Sequence, residues 1–187
     1  MTKPAEPRPH GIPASLRDLV MVDLLELTGS TTATAALLSM SQPNVSRRYR
    51  SLARELGLER RCDAPVGRRY GDTPWIALLR RGVNHHRLAG GVLRVGGSPA
   101  LEPLLADLPW MHWVRLGRQQ QRHWRCLLEL ELVDAVAVAQ QPELREDEST
   151  KLAVVKVQNT SCVEPVHLLC RQDPLVLGLC AQVIPTR

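Results

Sequence analysis

The residues best equipped for chemistry lie in one short stretch, Ser41-Gln42-Pro43-Asn44-Val45-Ser46-Arg47-Arg48-Tyr49-Arg50. Gln and Arg side chains make paired hydrogen bonds to adenine and guanine edges in the major groove of DNA, each worth about 1–3 kcal/mol of discrimination. Ser41 is an N-cap residue whose hydroxyl is expected to accept from an amide of the first turn, and Pro43 has no amide that needs a partner there. A helix running on to Leu56 gathers Val45, Tyr49, Leu52 and Leu56 into one apolar stripe. Its other face then carries Gln42, Pro43, Ser46, Arg47, Arg50 and Arg54. The chemistry expected is recognition of double-stranded DNA; a merely solvated arginine face is the bland alternative.

Other chemistries find little support. The five cysteines are odd in number and form no Cys-x-x-Cys pair, against a disulfide framework or a zinc ribbon. His123-x-x-Cys126 and His167-x-x-Cys170 share a spacing, but on a strand the second pair points to opposite faces, so no metal site is expected. No phosphate loop, Ser-His-Asp arrangement or carboxylate pair stands out, so neither a cofactor nor catalysis is expected. The opening MTKPAEPRPH has no apolar segment, and the uncharged run at 174–186 is too short to span a bilayer. No membrane partner and a reducing cytoplasm are expected. Charge is uneven: residues 1–90 hold 14 Lys or Arg against 8 Asp or Glu, residues 91–187 only 10 against 11, so the first half is the one suited to a polyanion.

The elements that must position these residues follow in chain order. Residues 1–12 hold three prolines and read as a flexible tail. Leu16, Leu19, Val22 and Leu25 predict an amphipathic helix over 13–28, ended by Gly29. Ser30, Thr31 and Thr32 are N-cap candidates for a short second helix through Ser39, whose alanines admit a close neighbour. The turn Ser39-Met40-Ser41 then gives helix-turn-helix spacing. Residues 62–72, with Pro65, Gly67 and Gly71, read as a hairpin wing whose tip offers Arg68 and Arg69 to phosphates or the minor groove. Thr73-Pro74 opens a helix reaching about Leu88, with Trp75, Leu78, Leu79 and Val83 as its apolar face and Gly90-Gly91 as its stop.

Beyond it, strands at 92–95, 113–116 and 133–138 alternate with helices at 100–108 and 120–130, which implies a parallel sheet. Ser98 reads as the N-cap of the first of these helices. An acidic loop at 142–150 and two more strands, 152–157 and 166–169, complete the pattern.

The stretch GSTTATAALLSMSQPNVSRRYRSLARELG resembles the LysR-type transcriptional regulators. Ser30, Ala35, Leu38, Ser41, Gln42, Val45, Ser46, Leu52, Glu55, Leu56 and Gly57 stand where that family's motif has the same residue types, while Thr31, Thr34, Ala53 and Arg60-Arg61 depart from it. The resemblance implies that Gln42, Pro43, Ser46 and Arg47 face the bases and that the helix carrying Trp75, Leu78, Leu79 and Val83 pairs with its mate in a dimer. Through LRVGGSPALEPLLADLPWMHWVRLG and LELVDAVAVAQQPEL, the second half resembles the start of the family's effector domain, a periplasmic-binding-protein-like fold. With only one lobe in prospect, a two-lobed cleft for a small-molecule effector is not expected.

The expected fold is α/β overall. An N-terminal all-α winged helix-turn-helix (13–72) and a linker helix (73–90) precede a partial periplasmic-binding-protein-like α/β domain (91–187). The expected function is a dimeric, sequence-specific transcriptional regulator. The alternative is a truncated regulator that acts as a heterodimerising protein-interaction module with weak DNA binding.

Overall fold

Stops and caps set the N-terminal helices of this computed structural model, which describes residues 16–105, 108, 110–140, 144, 151–157 and 165–181. The tail at 1–12 and all but Leu144 of the acidic loop lie outside the described residues. Helix α1, Arg17–Thr28, ends where Gly29 turns left-handed at φ 64° and its N–H reaches the Leu25 carbonyl. Helix α2, Thr31–Leu37, is capped by Ser30, whose hydroxyl accepts from the Ala33 N–H at 3.3 Å. It stops two residues short of Ser39, which sits at φ 52° in the turn. Helix α3, Gln42–Leu56, closes on Gly57 at φ 61°. Ser41 occupies its N-cap position in extended conformation, but its hydroxyl makes no capping hydrogen bond, contrary to the sequence reading.

Three further expectations are corrected here. Every residue of α1 from Leu19 to Leu27 is buried, Asp23 and Glu26 included, so the helix is central and has no solvent face along that run. Helices α2 and α3 cover one side of it while β2 and α4 cover others. The segment at 62–72 contains no strand and is not a hairpin. It is a run of turns in which the Arg61 N–H donates to the Arg69 carbonyl at 2.8 Å and the Arg68 N–H to the Pro65 carbonyl at 3.1 Å. Val66 and Tyr70, 3% and 4% exposed, pull it onto the body of the protein. In α4, Pro74–Ala89, the inward face is Ile76, Arg80, Val83, Asn84, Arg87 and Leu88. Val83 is therefore committed to the protein's own core, whereas Leu78 (67% exposed) and Leu79 (40%) face outward.

The second half builds one five-stranded sheet in the order β2-β1-β3-β5-β4. Strands β1 (Leu93–Gly97), β2 (Met111–Arg115) and β3 (Ala135–Val138) are parallel as expected. Strands β4 (Leu152–Val157) and β5 (Val166–Arg171) complete it antiparallel, with β5 between β3 and β4, so the sheet is mixed. The helix expected at 100–108 shrinks to α5, Glu102–Leu105, which starts four residues after Ser98 and leaves that residue no capping role. The one expected at 120–130 splits at His123 into α6, Arg118–Arg122, and α7, Trp124–Glu129. A last helix, α8 (Pro174–Ala181), was not foreseen; all its residues are apolar or small, so it shows no helical periodicity.

One apolar cluster joins Leu24, Leu25 and Leu27 of α1 to Val114, Leu127, Leu132 and Leu169. A second, containing Leu93, Val95, Leu168 and Val176, lies under α8. Buried ion pairs stitch these layers together. Asp23 of α1 accepts from Arg80 of α4 at 2.7 Å and from Arg94 of β1 at 3.4 Å. Asp134, just before β3, is held by Arg87 at 2.6 and 3.1 Å, by Arg171 at 3.0 Å and by the Arg94 backbone N–H at 2.7 Å. Burial alone would push the Asp134 carboxyl up, yet Arg87, the Arg94 amide and Arg171 together hold it below the usual carboxylate range. Burial, with Arg94 and Arg87 adding to it, pushes His112 on the neighbouring strand down to about 4 and so keeps it neutral.

Removing one partner of a buried pair strands the other charge. Asp134→Asn is expected to lower unfolding free energy at pH 7 by about 3–5 kcal/mol, read from urea titration. Because the folded pKa of Asp134 is depressed, its contribution is present above the unfolded value of 3.8 and is lost as pH falls through the folded one. The gap between wild type and variant should therefore narrow in acid; a gap independent of pH would overturn the assignment.

Candidate nucleic-acid interface

Helix α3 owes its orientation to one fully buried residue, Val45, with Tyr49, Leu52 and Leu56 half-buried behind it. That seating leaves the opposite face open. Gln42, Pro43, Arg47, Arg50 and Arg54 are exposed, Ser46 is half-buried and Ser41 is exposed at the leading end. The expected constellation is thus brought together along one face, where Asn44, Arg47, Arg50, Ser51 and Arg54 line a shallow groove.

Two of these side chains are tethered and two are not. The Gln42 amide nitrogen donates to the Thr31 hydroxyl at 3.0 Å and to the Ser46 hydroxyl at 3.3 Å, which fixes its direction and leaves its carbonyl oxygen available. The Arg50 Nε donates back to the Ser46 carbonyl at 3.2 Å. Arg47 and Arg54 make no hydrogen bond or ion pair among the described residues. Arg48, which also lines the groove, pairs with Asp18 of α1 at 2.9 Å.

The loop from Leu58 to Thr73 is tied to α3 and α1. The Tyr49 hydroxyl donates to the Tyr70 carbonyl at 3.0 Å, and the two rings meet edge to face at 5.4 Å. Burial, then the nearby Glu26 carboxylate, pushes the Tyr49 phenol up to about 12, so it stays a donor at every working pH. The Tyr70 N–H donates to the Glu26 carboxylate. The Arg60 guanidinium stacks 5.2 Å from the Tyr70 ring centre.

The two loop arginines fare differently. Arg68 is exposed and pairs with Asp72 at 3.4 Å. Arg69 is half-buried, with its Nε donating to the Ala64 carbonyl and an Nη to the Gln119 side chain, so it is held toward the protein.

Glu26 holds the loop, Asp23 anchors α1 to the core and Thr31 orients Gln42; the sequence reading singled out neither carboxylate and took Thr31 only as an N-cap candidate and a departure from the family motif. For the first two a signal exists: they are the only charges in the otherwise apolar run from Leu19 to Leu27, and a charge there needs an internal partner. No group of three or more His, Cys, Asp or Glu able to hold a metal occurs among the described residues. No described helix is long and apolar enough to cross a membrane.

No protein-family model and no curated protein matches this chain. Solved structures do. CrgA, a LysR-type transcriptional regulator from Neisseria meningitidis, matches over 79% of this chain and 54% of its own at 18% identity and a TM-score of 0.32. A mutant OxyR from Corynebacterium glutamicum matches over 79% and 51% at 18% identity and a TM-score of 0.35. HinK, a LysR family transcriptional regulator from Pseudomonas aeruginosa, matches over 76% and 51% at 18% identity and 0.31. The chain spans about half the length of these structures.

The support of the loop by Glu26 has a pH signature. Burial raises its carboxyl above the ordinary 4.5, the Tyr70 and Arg69 amides only partly opposing it. A raised folded pKa gives stability that is present below the unfolded value and lost as pH rises through the folded one. Glu26→Gln keeps an acceptor for the Tyr70 N–H without the charge. Its stability relative to wild type, from urea titrations between pH 4 and 8, is expected to improve as pH rises; a flat difference would show that Glu26 is not desolvated.

Proposed function

We propose that this chain is a sequence-specific DNA-binding transcriptional regulator of the LysR type, reading the major groove with α3. The observation that carries the reading is the exposed row Gln42, Pro43, Arg47, Arg50 and Arg54, set opposite a fully buried Val45. The family motif in the sequence supplies the same assignment. Gln42, aimed by Thr31 and Ser46, and the untethered Arg47 serve as base readers near the N-terminal end of the helix, the end that helix-turn-helix proteins present to base edges. Arg50, Arg54 and, from the loop, Arg68 serve the phosphates; Arg69 contributes through the shape of the loop.

Fluorescence anisotropy with the protein's own upstream region and an unrelated duplex, at two salt concentrations, tests this. Preference for its own region with a steep loss at higher salt is expected. Arg47→Ala should cut that preference by about 1–3 kcal/mol. Arg68→Ala should weaken binding to both duplexes alike and flatten the salt slope by about one. Equal weak binding of the wild type to both duplexes would refute the reading.

The same reading has the protein act as a dimer through α4, at Leu78 and Leu79. Trp75 is half-buried against the protein's own apolar cluster and Val83 lies within it, so neither is offered to a partner. Two adjacent exposed leucines equally suit the alternative, pairing with a longer relative. Leu78→Glu should shift the molar mass from light scattering toward the monomer without altering the far-ultraviolet circular dichroism; an unchanged mass would place the contact elsewhere.

A further inference from the structure

The loop between α3 and α4 is seated on the C-terminal half at three points. The Cys126 thiol of α7 donates to the Val66 carbonyl at 3.4 Å. At Gly67, whose φ is 95°, a Cβ would come within 2.7 Å of Leu130 Cδ1, so the backbone there rests directly on the residue that ends α7. The Arg69 guanidinium reaches the side-chain oxygen of Gln119 on α6 at 3.3 Å. From the other side the Glu26 carboxylate accepts from the backbone amides of Arg69 and Tyr70. The backbone from Val66 to Tyr70 is thus held on both sides, and the Arg69 side chain is the part left to move.

The bonds on that side chain differ in kind from those of the other held arginines. Arg80, Arg87 and Arg48 meet carboxylates at 2.7, 2.6 and 2.9 Å. Among the described residues Arg69 meets only neutral acceptors, the Ala64 carbonyl at 3.2 Å and Gln119 at 3.3 Å, both at the long end for an N–H···O bond. A hydrogen bond from a guanidinium to an oxyanion is shorter and about twice as strong as one between neutral groups. A carboxylate at position 119 would withdraw Arg69 for good. An amide holds it only until a better acceptor arrives.

We infer that Arg69 is a parked phosphate contact: Gln119 of the C-terminal half holds its guanidinium against the protein in the free state and yields it to a duplex phosphate on binding. The inference rests on the DNA-binding reading and adds a condition to it. Arg69 shapes the loop while the protein is free and joins its exposed neighbour Arg68 on the duplex. Because the backbone is pinned by Glu26, Cys126 and Leu130, the exchange needs a rotation of one side chain and no unfolding of the loop. Gln119 is a positioning residue that touches no DNA. Through it the placement of α6 bears on the affinity of the N-terminal half.

Salt titrations of the full chain by fluorescence anisotropy, on its own upstream region and on an unrelated duplex, test this. Arg69→Ala is expected to lower the slope of log affinity against log salt by about one on both duplexes. Gln119→Ala removes the holding bond and should tighten binding about threefold, the worth of one weak neutral hydrogen bond, at an unchanged slope. Gln119→Glu replaces the amide by a carboxylate and should weaken binding and lower the slope by about one. With Arg69 already replaced by Ala, Gln119→Ala should change nothing. An unchanged slope in Arg69→Ala, or a Gln119→Ala effect that survives the loss of Arg69, would overturn the inference and leave the DNA reading standing. Equal binding of the wild type to both duplexes would remove sequence-specific reading alone, since a phosphate contact is seen on either; binding to neither would remove both. Gln119 is exposed, so its variants keep the fold, and the opposite signs of the Ala and Glu variants decide the matter should Arg69→Ala disturb the loop.

Discussion

The structure depends on two buried carboxylates and the arginines converging on them. Asp23 is contributed by the helical half and Asp134 by the sheet, and Arg94 touches both, through its side chain to Asp23 and its backbone N–H to Asp134. Each charge is costly to bury alone and tolerable only in the presence of the others. Their mutual requirement therefore fixes α1, α4, β1 and β3 relative to one another more strictly than apolar packing would. Leu24 or Leu132 can slide against a neighbour at small cost; a guanidinium 2.7 Å from its carboxylate cannot.

That constraint reaches α3 in two steps. Asp23 and Glu26 lie three residues apart on α1, so the helix held by Arg80 and Arg94 also presents the carboxylate that receives the Tyr70 N–H. Tyr70 in turn accepts from Tyr49 on α3. The rotation of α3, and with it the direction of Arg47 and Arg50, is thus set by a chain of polar contacts rooted in the core as well as by Val45. Helix α2 is fixed through the Thr28 and Thr34 hydroxyls, 2.9 Å apart, and through Gln42 bonding Thr31.

Much of this was legible in the sequence, and the parts that were not share a cause. Gly29, Ser30, Gly57, Thr73 and Pro74 are local signals, each marking its boundary to within a residue or two, and the stripe from Val45 to Leu56 predicted the open face of α3 correctly. Local signals failed where a distant residue decided the outcome. Residues 62–72 hold hairpin-like glycines, yet Val66 and Tyr70 are buried in the apolar cluster that also takes in Leu58 and Leu130, and pairing lost to packing. On α4 the apolar positions read as the buried face, but Arg80 and Arg87 have internal carboxylates to meet, and their demand rotated Leu78 and Leu79 outward. Helix α8 shows no periodicity because both its faces are apolar.

The same lesson bears on charge. By composition the first 90 residues carry a surplus of six positive charges, which suggests a broad attraction for a polyanion. Arg80 and Arg87 are internal and spent on Asp23 and Asp134, Arg48 is paired with Asp18, Arg81 with Glu131, and Arg69 is folded onto the protein. Among the described residues, the exposed arginines for which no ion pair is seen include Arg47, Arg50 and Arg54 on α3 and Arg60 and Arg61 in the loop, where Arg68 is itself paired with Asp72. On the DNA-binding reading proposed above, affinity would follow from which guanidiniums are left without carboxylates, because those displace the counterions condensed on DNA phosphates. On that reading the contact would be supplied by the arginines of α3, and which arginines remain free there follows from where the buried acids sit.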